Sequence, residues 1–524
     1  MPHQPTDEQR EIISRANDGS LMISAYAGCA KTSTMEMLAQ HIREPGLSTA
    51  FNAKTAKELE KRLPRNFVAK TLNGIGHGAW MRRPGIPTLK LDDQKTTKIL
   101  KEILKETSTK LSPEQWQWTQ GLTRQAMQRG LVPSGVAAEN PQLDDTPEAW
   151  SDLAAEAGIP ADELRLTSDT AREVLRRDIA LALQGIISFD DQVYCPTVLG
   201  GMWPKFPVVM VDESQDLSPM NHEMLRLCLR PGGRLISVGD QRQAIYAWRG
   251  ADAQSMQNLR VLAKDWIDLP LTLTFRCPKA IVARCQDHAP GFRAAETNAQ
   301  GQVWPRIGEA RMDEGEIDWS WTWKDLLAKM PHEEIAPVTF LCRNNAPLMS
   351  MAFKLIRSGI GCHVLGRDLG RGLVALSRKI MPEDETSRES GYAMIADWEQ
   401  HELELARLND REKLVDSILD RAECLRAVFE SANVRTSGQL RDALGHLFSK
   451  ESGLVTLSSI HKAKGLEWPF VVHLDPWRIP SKQSKREAEL GRPQALEQEW
   501  NLKYVCETRT QHTLVMTNVK EFRI

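Results

Sequence analysis

The sequence predicts an α/β protein of two parallel-sheet domains, each interrupted by a mainly helical insertion. Three observations predict it. An apolar run, Leu21-Met22-Ile23, leads through a loop of small residues into a helical pattern at Met35, Met37 and Leu38. A second apolar run, Val208-Val209-Met210-Val211, ends abruptly in Asp212-Glu213. Continuous apolar runs of this kind are the signature of strands buried on both faces of a parallel sheet. The alternation of short strands and helices then begins again after Cys277, with Val338-Thr339-Phe340-Leu341-Cys342-Arg343 and Phe470-Val471-Val472-His473-Leu474 as its clearest strands.

Length and composition bound the rest. A chain of 524 residues is too long for one core, so several domains are expected. Hydrophobic residues make up 41% and the net charge is −2, so any nucleic-acid contact has to come from local patches. No apolar run approaches the ~18 residues of a membrane span. The N-terminal MPHQPTDEQR is polar and has no signal-peptide core. Nine scattered cysteines form no C-x-x-C pair and read as reduced thiols. The expectation is a cytoplasmic protein without membrane contact, or a nuclear one in a eukaryote. Fifteen tryptophans are read mainly as core residues, with base-stacking platforms as the alternative.

Along the chain, Thr6 or Asp7 can cap a first helix that carries Gln9, which by itself reads as a surface helix residue and whose amide could instead read a purine edge. The loop Ala25-Tyr26-Ala27-Gly28-Cys29-Ala30 precedes Lys31, Thr32 and Ser33. A strand, a small-residue loop, Lys-Thr and a helix are the layout of a phosphate cradle, in which backbone N–H groups face an anion. Ala25 and Ala30 stand where that pattern has glycine, which leaves an ordinary βα turn as the alternative. A strand at 47–53 leads into a charged helix at 54–63, and a strand at 68–72 leads towards His77. Phe51, Lys54, Thr71 and His77 thus fall at strand ends or loops, where α/β sheets place ligands. Residues 80 to about 187 read as an inserted helical region with an acidic stretch at 131–164 that would face away from nucleic acid.

Asp212 and Glu213 are two adjacent carboxylates at a buried strand's end, which is costly unless they hold a metal or move protons. Asp212 suits Mg²⁺, and Glu213 suits a general base for a hydrolytic water. A strand at 234–238 precedes Gln243, a candidate γ-phosphate sensor, and the pair Trp248-Arg249, a candidate stacking and backbone contact. A strand at 271–275 ends in Phe275-Arg276. Residues 370–450 read as a second helical insertion, 481–492 as a basic loop, and 499–509 as a last helix before a strand at 514–516.

In this order the pieces resemble superfamily 1 DNA helicases of the UvrD/Rep/PcrA group, and a compact phage-type or F-box-type member within it. The resemblance runs from Pro5 to Met516 and rests on DESQD at 212–216, GDQRQAIYAWRGA at 239–251, HKAKGLEW at 461–468 and YVCETRT at 504–510. It implies a P-loop NTPase of two RecA-like domains that bind ATP between them. The implied division is 1–79 with 186–276 and 277–369 with 451–524, interrupted by insertions at 80–185 and 370–450.

The resemblance also implies residue roles. Gln9 resembles the adenine-reading glutamine, and Phe275 stands where relatives stack a tyrosine on adenine. Ala27, Gly28, Cys29, Ala30, Lys31, Thr32 and Ser33 resemble the phosphate loop. Thr32 and Asp212 resemble the Mg²⁺ ligands, Glu213 the catalytic base and Gln243 the γ-phosphate sensor. Arg276 and Arg509 resemble two arginine fingers, and Glu467 a ribose-side carboxylate. Phe51, Thr71, Trp248, Arg249 and His461 are implied DNA contacts, and Lys54 and His77 are expected beside them from their place at strand ends and loops.

The function so implied is an ATP- and Mg²⁺-dependent helicase or translocase on single-stranded and tailed duplex DNA, of 3′-to-5′ polarity, with replication or recombination proteins as partners. Two alternatives stand beside it: a translocase that strips proteins without unwinding, and a nucleotide-gated recruitment protein with weak turnover. Ala30 is the main departure from the family pattern. Alanine replaces glycine there without strain where φ is negative, and the otherwise complete site implies such a backbone.

Overall fold

The computed structural model describes residues 4–50, 52–157, 159, 162–246, 254–304, 321–328, 337–358, 360–408, 412–430, 434–449, 455–491 and 493–524. It divides into two compact units, residues 1–25 with 30–271, and residues 26–29 with 272–524.

The first unit is organised on a six-stranded sheet. Its strands are β1 (Ser20–Ala25), β2 (Gly46–Ala50), β3 (Phe67–Thr71), β4 (Phe206–Val211), β5 (Leu229–Gly239) and β6 (Trp266–Leu271). They lie in the order β3-β2-β4-β5-β1-β6, all parallel. Register follows burial: Leu21 pairs with Ile236 and Ile23 with Val238, and all four side chains are buried. The adjacent strands β4, β5 and β1 lead at their carboxyl ends into Asp212-Glu213, Asp240–Gln243 and the loop before Lys31.

One strand differs from expectation. The sheet takes Trp266–Leu271, whereas Leu273–Thr274 pairs separately with Arg293–Ala294. Asp268 and Pro270 obscure the strand pattern, and both are tolerated because β6 is an edge strand.

Between β3 and β4 run the helices Leu72–Met81, Lys95–Glu106, Pro113–Gln128, Pro147–Glu156, Leu164–Leu183 and Asp191–Val198. A short parallel pair, Lys90–Leu91 with Ile186–Ile187, closes the base of this insertion. Its core gathers Trp80, Leu122, Leu131, Trp150, Leu175 and Tyr194.

The second unit repeats the plan with β7 (Gln302–Trp304), β8 (Val338–Cys342), β9 (Cys362–Val364), β10 (Val455–Ser459), β11 (Trp468–Leu474) and β12 (Thr510–Thr517). Their order is β7-β12-β11-β8-β10-β9, again parallel throughout. The helices Arg367–Ile380, Arg388–Leu408, Glu412–Phe429 and Ser437–Ser449 share one core with this sheet, through Phe340, Leu355, Leu425, Phe429 and Leu444.

The expected basic loop at 481–492 contains a helix, Lys482–Glu489. Ser481 caps it by accepting the Ser484 N–H, a local bond that the run of charges hid. The nine cysteines are free, eight of them buried. Trp80 and Trp150 are fully buried, whereas Trp477 and Trp500 lie at the surface. No described helix is long and apolar enough to cross a membrane.

Candidate active site

Lys31 opens the helix Lys31–Ala39, directly after the small-residue loop. Its ammonium donates to Glu213 Oε2 at 2.9 Å, and Gln215 Nε2 donates to the same oxygen at 2.6 Å. Asp212 Oδ1 accepts the Glu213 N–H at 2.9 Å. Behind these groups the ends of β4 and β5 are tied together. Ser214 Oγ donates to Val238 O at 3.0 Å, and the Asp240 N–H donates to Gln215 Oε1 at 3.0 Å. Gln243 is buried and donates to Asp240 Oδ2 at 2.7 Å. Gly239 has to be glycine, since a Cβ there would lie 2.6 Å from both Gln215 Oε1 and Ser214 Oγ.

Three carboxylates, Asp212, Glu213 and Asp240, thus surround one ammonium. Burial alone would pull the Lys31 ammonium down, but the charges of Glu213, Asp212 and Asp240 hold it above its ordinary value. The Asp212 carboxyl is pushed up to about 7, first by burial and then by the charge of Glu213. Burial also raises Asp240. Three acidic side chains thus face one ammonium, and burial holds two of them back from ionising.

That set of acids fits a divalent cation. Mg²⁺ takes one or two carboxylates and completes its shell with phosphate oxygens and water, so it needs no all-protein cage. No group of three or more His, Cys, Asp or Glu arranged for a metal occurs among the described residues. Asp212 and the half-buried Thr32, the second residue of the lysine's helix, supply the oxygen donors such an ion takes.

Two residues at this site have left-handed backbones. Ala30 lies at φ 56°, ψ 41°, and Glu213 at φ 49°, ψ 42°. The expectation of a negative φ at Ala30 is therefore wrong. The chain turns from loop into helix through a conformation that glycine adopts freely and that costs an L-residue roughly 1–2 kcal/mol. Strained backbones concentrate at functional sites, where the surrounding structure holds them.

Gln9 is buried beneath the same helix. It forms a capping box with Thr6, and its Nε2 donates to Thr34 Oγ1 at 2.9 Å. Ser33 is exposed. Of the expected DNA contacts, Lys54 is exposed at the start of the helix Ala53–Arg62. Thr71 caps the helix Leu72–Met81 by accepting the Gly74 N–H at 3.0 Å. His77 Nδ1 lies 3.5 Å from Gln192 Nε2. Phe51, Trp248 and Arg249 lie outside the described residues.

In the second unit, Phe275 exposes 48% of its surface, an aromatic face open to stacking. Arg276 pairs with Glu467, whose other oxygen accepts Gln511 Nε2 at 2.9 Å. Arg509 is 1% exposed and donates to Val505 O at 3.0 Å and Leu466 O at 3.1 Å. His461 is half-buried on the helix Ile460–Ala463. Ala27, Gly28 and Cys29 group with this unit: the Phe275 N–H donates to Gly28 O at 3.0 Å, and the Ala27 N–H donates to the Tyr504 hydroxyl at 3.0 Å. The sequence reading missed Asp240, Gln215 and Tyr504. Asp240 carried a visible signal, an acid directly after a strand-ending glycine; Tyr504 carried none beyond its place in YVCETRT.

A lysine heading a helix and outnumbered by carboxylates is chemistry for a phosphate chain and its cation, which sets this chain among the phosphate-loop nucleotide-binding proteins. The comparisons narrow the class. The UvrD/REP helicase N-terminal domain matches residues 5–263, and the UvrD-like helicase C-terminal domain matches residues 375–521. The chain belongs to the UvrD-like superfamily 1 helicases.

F-box DNA helicase protein 1 of Schizosaccharomyces pombe is 22% identical over 553 aligned residues, covering 98% of this chain and 57% of the relative. F-box DNA helicase 1 of Gallus gallus is 25% identical over 566, covering 98% and 49%. DNA helicase II of Escherichia coli is 25% identical over 272, covering 48% and 35%. The chain spans about half the length of the F-box relatives it matches.

Proposed function

We propose that this chain is an ATP-dependent DNA helicase that moves on single-stranded DNA in the 3′-to-5′ direction. One observation carries the reading: the Lys31–Glu213 pair, flanked by Asp212 and Asp240 at the ends of neighbouring strands. In-line attack of water on a γ-phosphate needs positioning and charge neutralisation more than covalent chemistry. Lys31 leaves Glu213 for the phosphates when ATP binds, and Glu213 is then free to orient the water and take its proton. Asp212 and Thr32 would hold Mg²⁺, which would supply charge neutralisation on the phosphates. Gln243, on its short turn beside Asp240, senses the γ-phosphate, and Gln9 reads the adenine edge once it releases Thr34.

In the second unit, Phe275 offers its exposed ring to the adenine and Glu467 contacts the ribose. Arg276 and Arg509 stabilise the transferring charge, each after leaving its present partner. Lys54, Thr71, His77 and His461 are proposed DNA contacts, together with Phe51, Trp248 and Arg249. Backbone contacts of this kind make affinity salt-dependent and largely independent of sequence.

The test is ATPase activity with and without single-stranded DNA, beside strand displacement on duplexes with 3′ and 5′ tails. DNA-stimulated hydrolysis with unwinding of the 3′-tailed duplex alone is the expected result. Hydrolysis without displacement would favour a protein-stripping translocase. The left-handed Ala30 favours a second reading, a nucleotide-gated recruitment protein, and ATP binding without turnover would support it.

A further inference from the structure

Tyr504 sits near the end of the helix Gln494–Glu507 and is buried. Its ring packs against Phe292, with centroids 6.2 Å apart, and against His288 at 5.7 Å. Its hydroxyl accepts the Ala27 N–H at 3.0 Å. The loop is pinned on either side of that bond. The Tyr26 hydroxyl donates to Pro290 O at 2.6 Å, and the Tyr26 ring meets Phe292 edge-on at 5.3 Å. Gly28 O accepts the Phe275 N–H, and a Cβ at Gly28 would lie 2.5 Å from Arg276 Cβ, so the two backbones are in close approach.

The other end of the connection is Arg509, five residues beyond Tyr504. Thr508 Oγ1 donates back to Tyr504 O at 2.7 Å, and Arg509 Nε donates to Val505 O at 3.0 Å. The end of the helix is thus a closed set of bonds with the Arg509 guanidinium folded onto it. From that helix the Tyr504 side chain reaches the loop that runs into Lys31.

We propose that Tyr504 is a positioning residue for hydrolysis. Its hydroxyl ties the loop at Ala27 to the helix end that carries Arg509, and so holds the guanidinium in fixed relation to that loop. The inference rests on the helicase reading of the site. It assigns to Tyr504 no contact with ATP or metal. Losing the bond leaves the ring packing intact and lets the helix end drift against the loop. Displacements of this kind act on the transition state more than on ground-state binding.

The test is Tyr504→Phe, which removes the hydroxyl and keeps the ring, assayed for DNA-stimulated kcat, KM for ATP and melting temperature. A neutral hydrogen bond of ordinary net strength corresponds to a kcat lowered roughly threefold to tenfold. KM is expected to stay within about twofold, with the melting temperature nearly unchanged. An unchanged kcat overturns the proposal. So does a raised KM at constant kcat, which would mark a simple binding contact. A lowered melting temperature with full activity in the folded fraction would mark a purely structural tyrosine and also overturns it. Wild type and Lys31→Ala are run in parallel. A wild type without DNA-stimulated ATPase sinks the helicase reading itself, whereas an active wild type matched by Tyr504→Phe sinks the inference alone.

Discussion

Two lysines in the first unit are each held by acidic side chains, and they do opposite things. Lys95 Nζ lies 2.9 Å from Asp178 Oδ2 and 2.6 Å from Asp191 Oδ2, with all three side chains at most 1% exposed. Burial and the charge of Asp191 raise Asp178 well above the carboxylate range. Asp191 is held below its ordinary value, because Lys95 and its hydrogen bonds outweigh burial. One ammonium and two acids, one of them held back from ionising, make a sealed cluster that braces three helices. Lys31 and Glu213 keep 13% and 29% of their side-chain surface open and face two further carboxylates; Glu213 is itself left-handed, and Lys31 follows the left-handed Ala30. A buried lysine among acids is therefore not in itself a site. Further acids, access and strain distinguish the one that can exchange its partner for a ligand.

The largest effect expected from this contrast is at Glu213. Glu213→Gln keeps nucleotide binding and lowers kcat by about 10²–10⁴-fold, since the amide cannot take the water's proton. A kcat within tenfold of wild type would remove Glu213 from that role.

The sealed cluster responds through stability instead. Lys95→Met strands two buried acids and is expected to cost roughly 3–5 kcal/mol, read by chemical denaturation, with kcat per folded molecule unchanged. Asp178→Asn, which removes the acid whose charged form burial and Asp191 disfavour, is expected to cost about 1 kcal/mol or less. Equal losses in the two variants would count against that ordering.

Asp145 shows a buried carboxylate that is fully matched. Burial raises its pKa, but the Ser134 N–H, Arg172 and the Trp150 indole outweigh burial and lower it to about 2. A folded pKa below the unfolded one gives stability that is present above about 3.8 and lost as pH falls through about 2. Thermal melts between pH 5 and pH 2 should therefore fall more steeply for wild type than for Asp145→Asn, and parallel curves would count against the assignment.

The smallest effect belongs to Ala30. Ala30→Gly releases a left-handed alanine worth roughly 1–2 kcal/mol but adds backbone freedom to the unfolded chain. The net gain is at most about 1 kcal/mol, with ATP affinity equal or higher. A clear loss of ATP binding in calorimetry would show that the Ala30 methyl is part of the cradle.

Much of this site was legible in the chain. Val208–Val211 followed by Asp212-Glu213, and small residues followed by Lys31, are local patterns whose chemistry does not depend on what packs around them. Thr6 and Thr71 act as caps because a hydroxyl reaches N–H groups two or three residues on. The edge strand Trp266–Leu271 and the helix Lys482–Glu489 were misread because Pro270 and a run of charges mask patterns that neighbouring segments nonetheless support.

What the chain left open was every pairing of distant residues. Lys31 meets Glu213 across 182 positions, and Ala27 meets Tyr504 across 477. The sign of φ at Ala30 was left open too. Alanine prefers the right-handed region on its own, yet Ala30 is left-handed where the loop enters helix Lys31–Ala39. Residue types thus pointed to phosphate chemistry, because acids at strand ends beside a lysine that heads a helix suit an anion and its cation. Which lysine stays open and which is sealed followed from packing, which sets water access and the balance of charge.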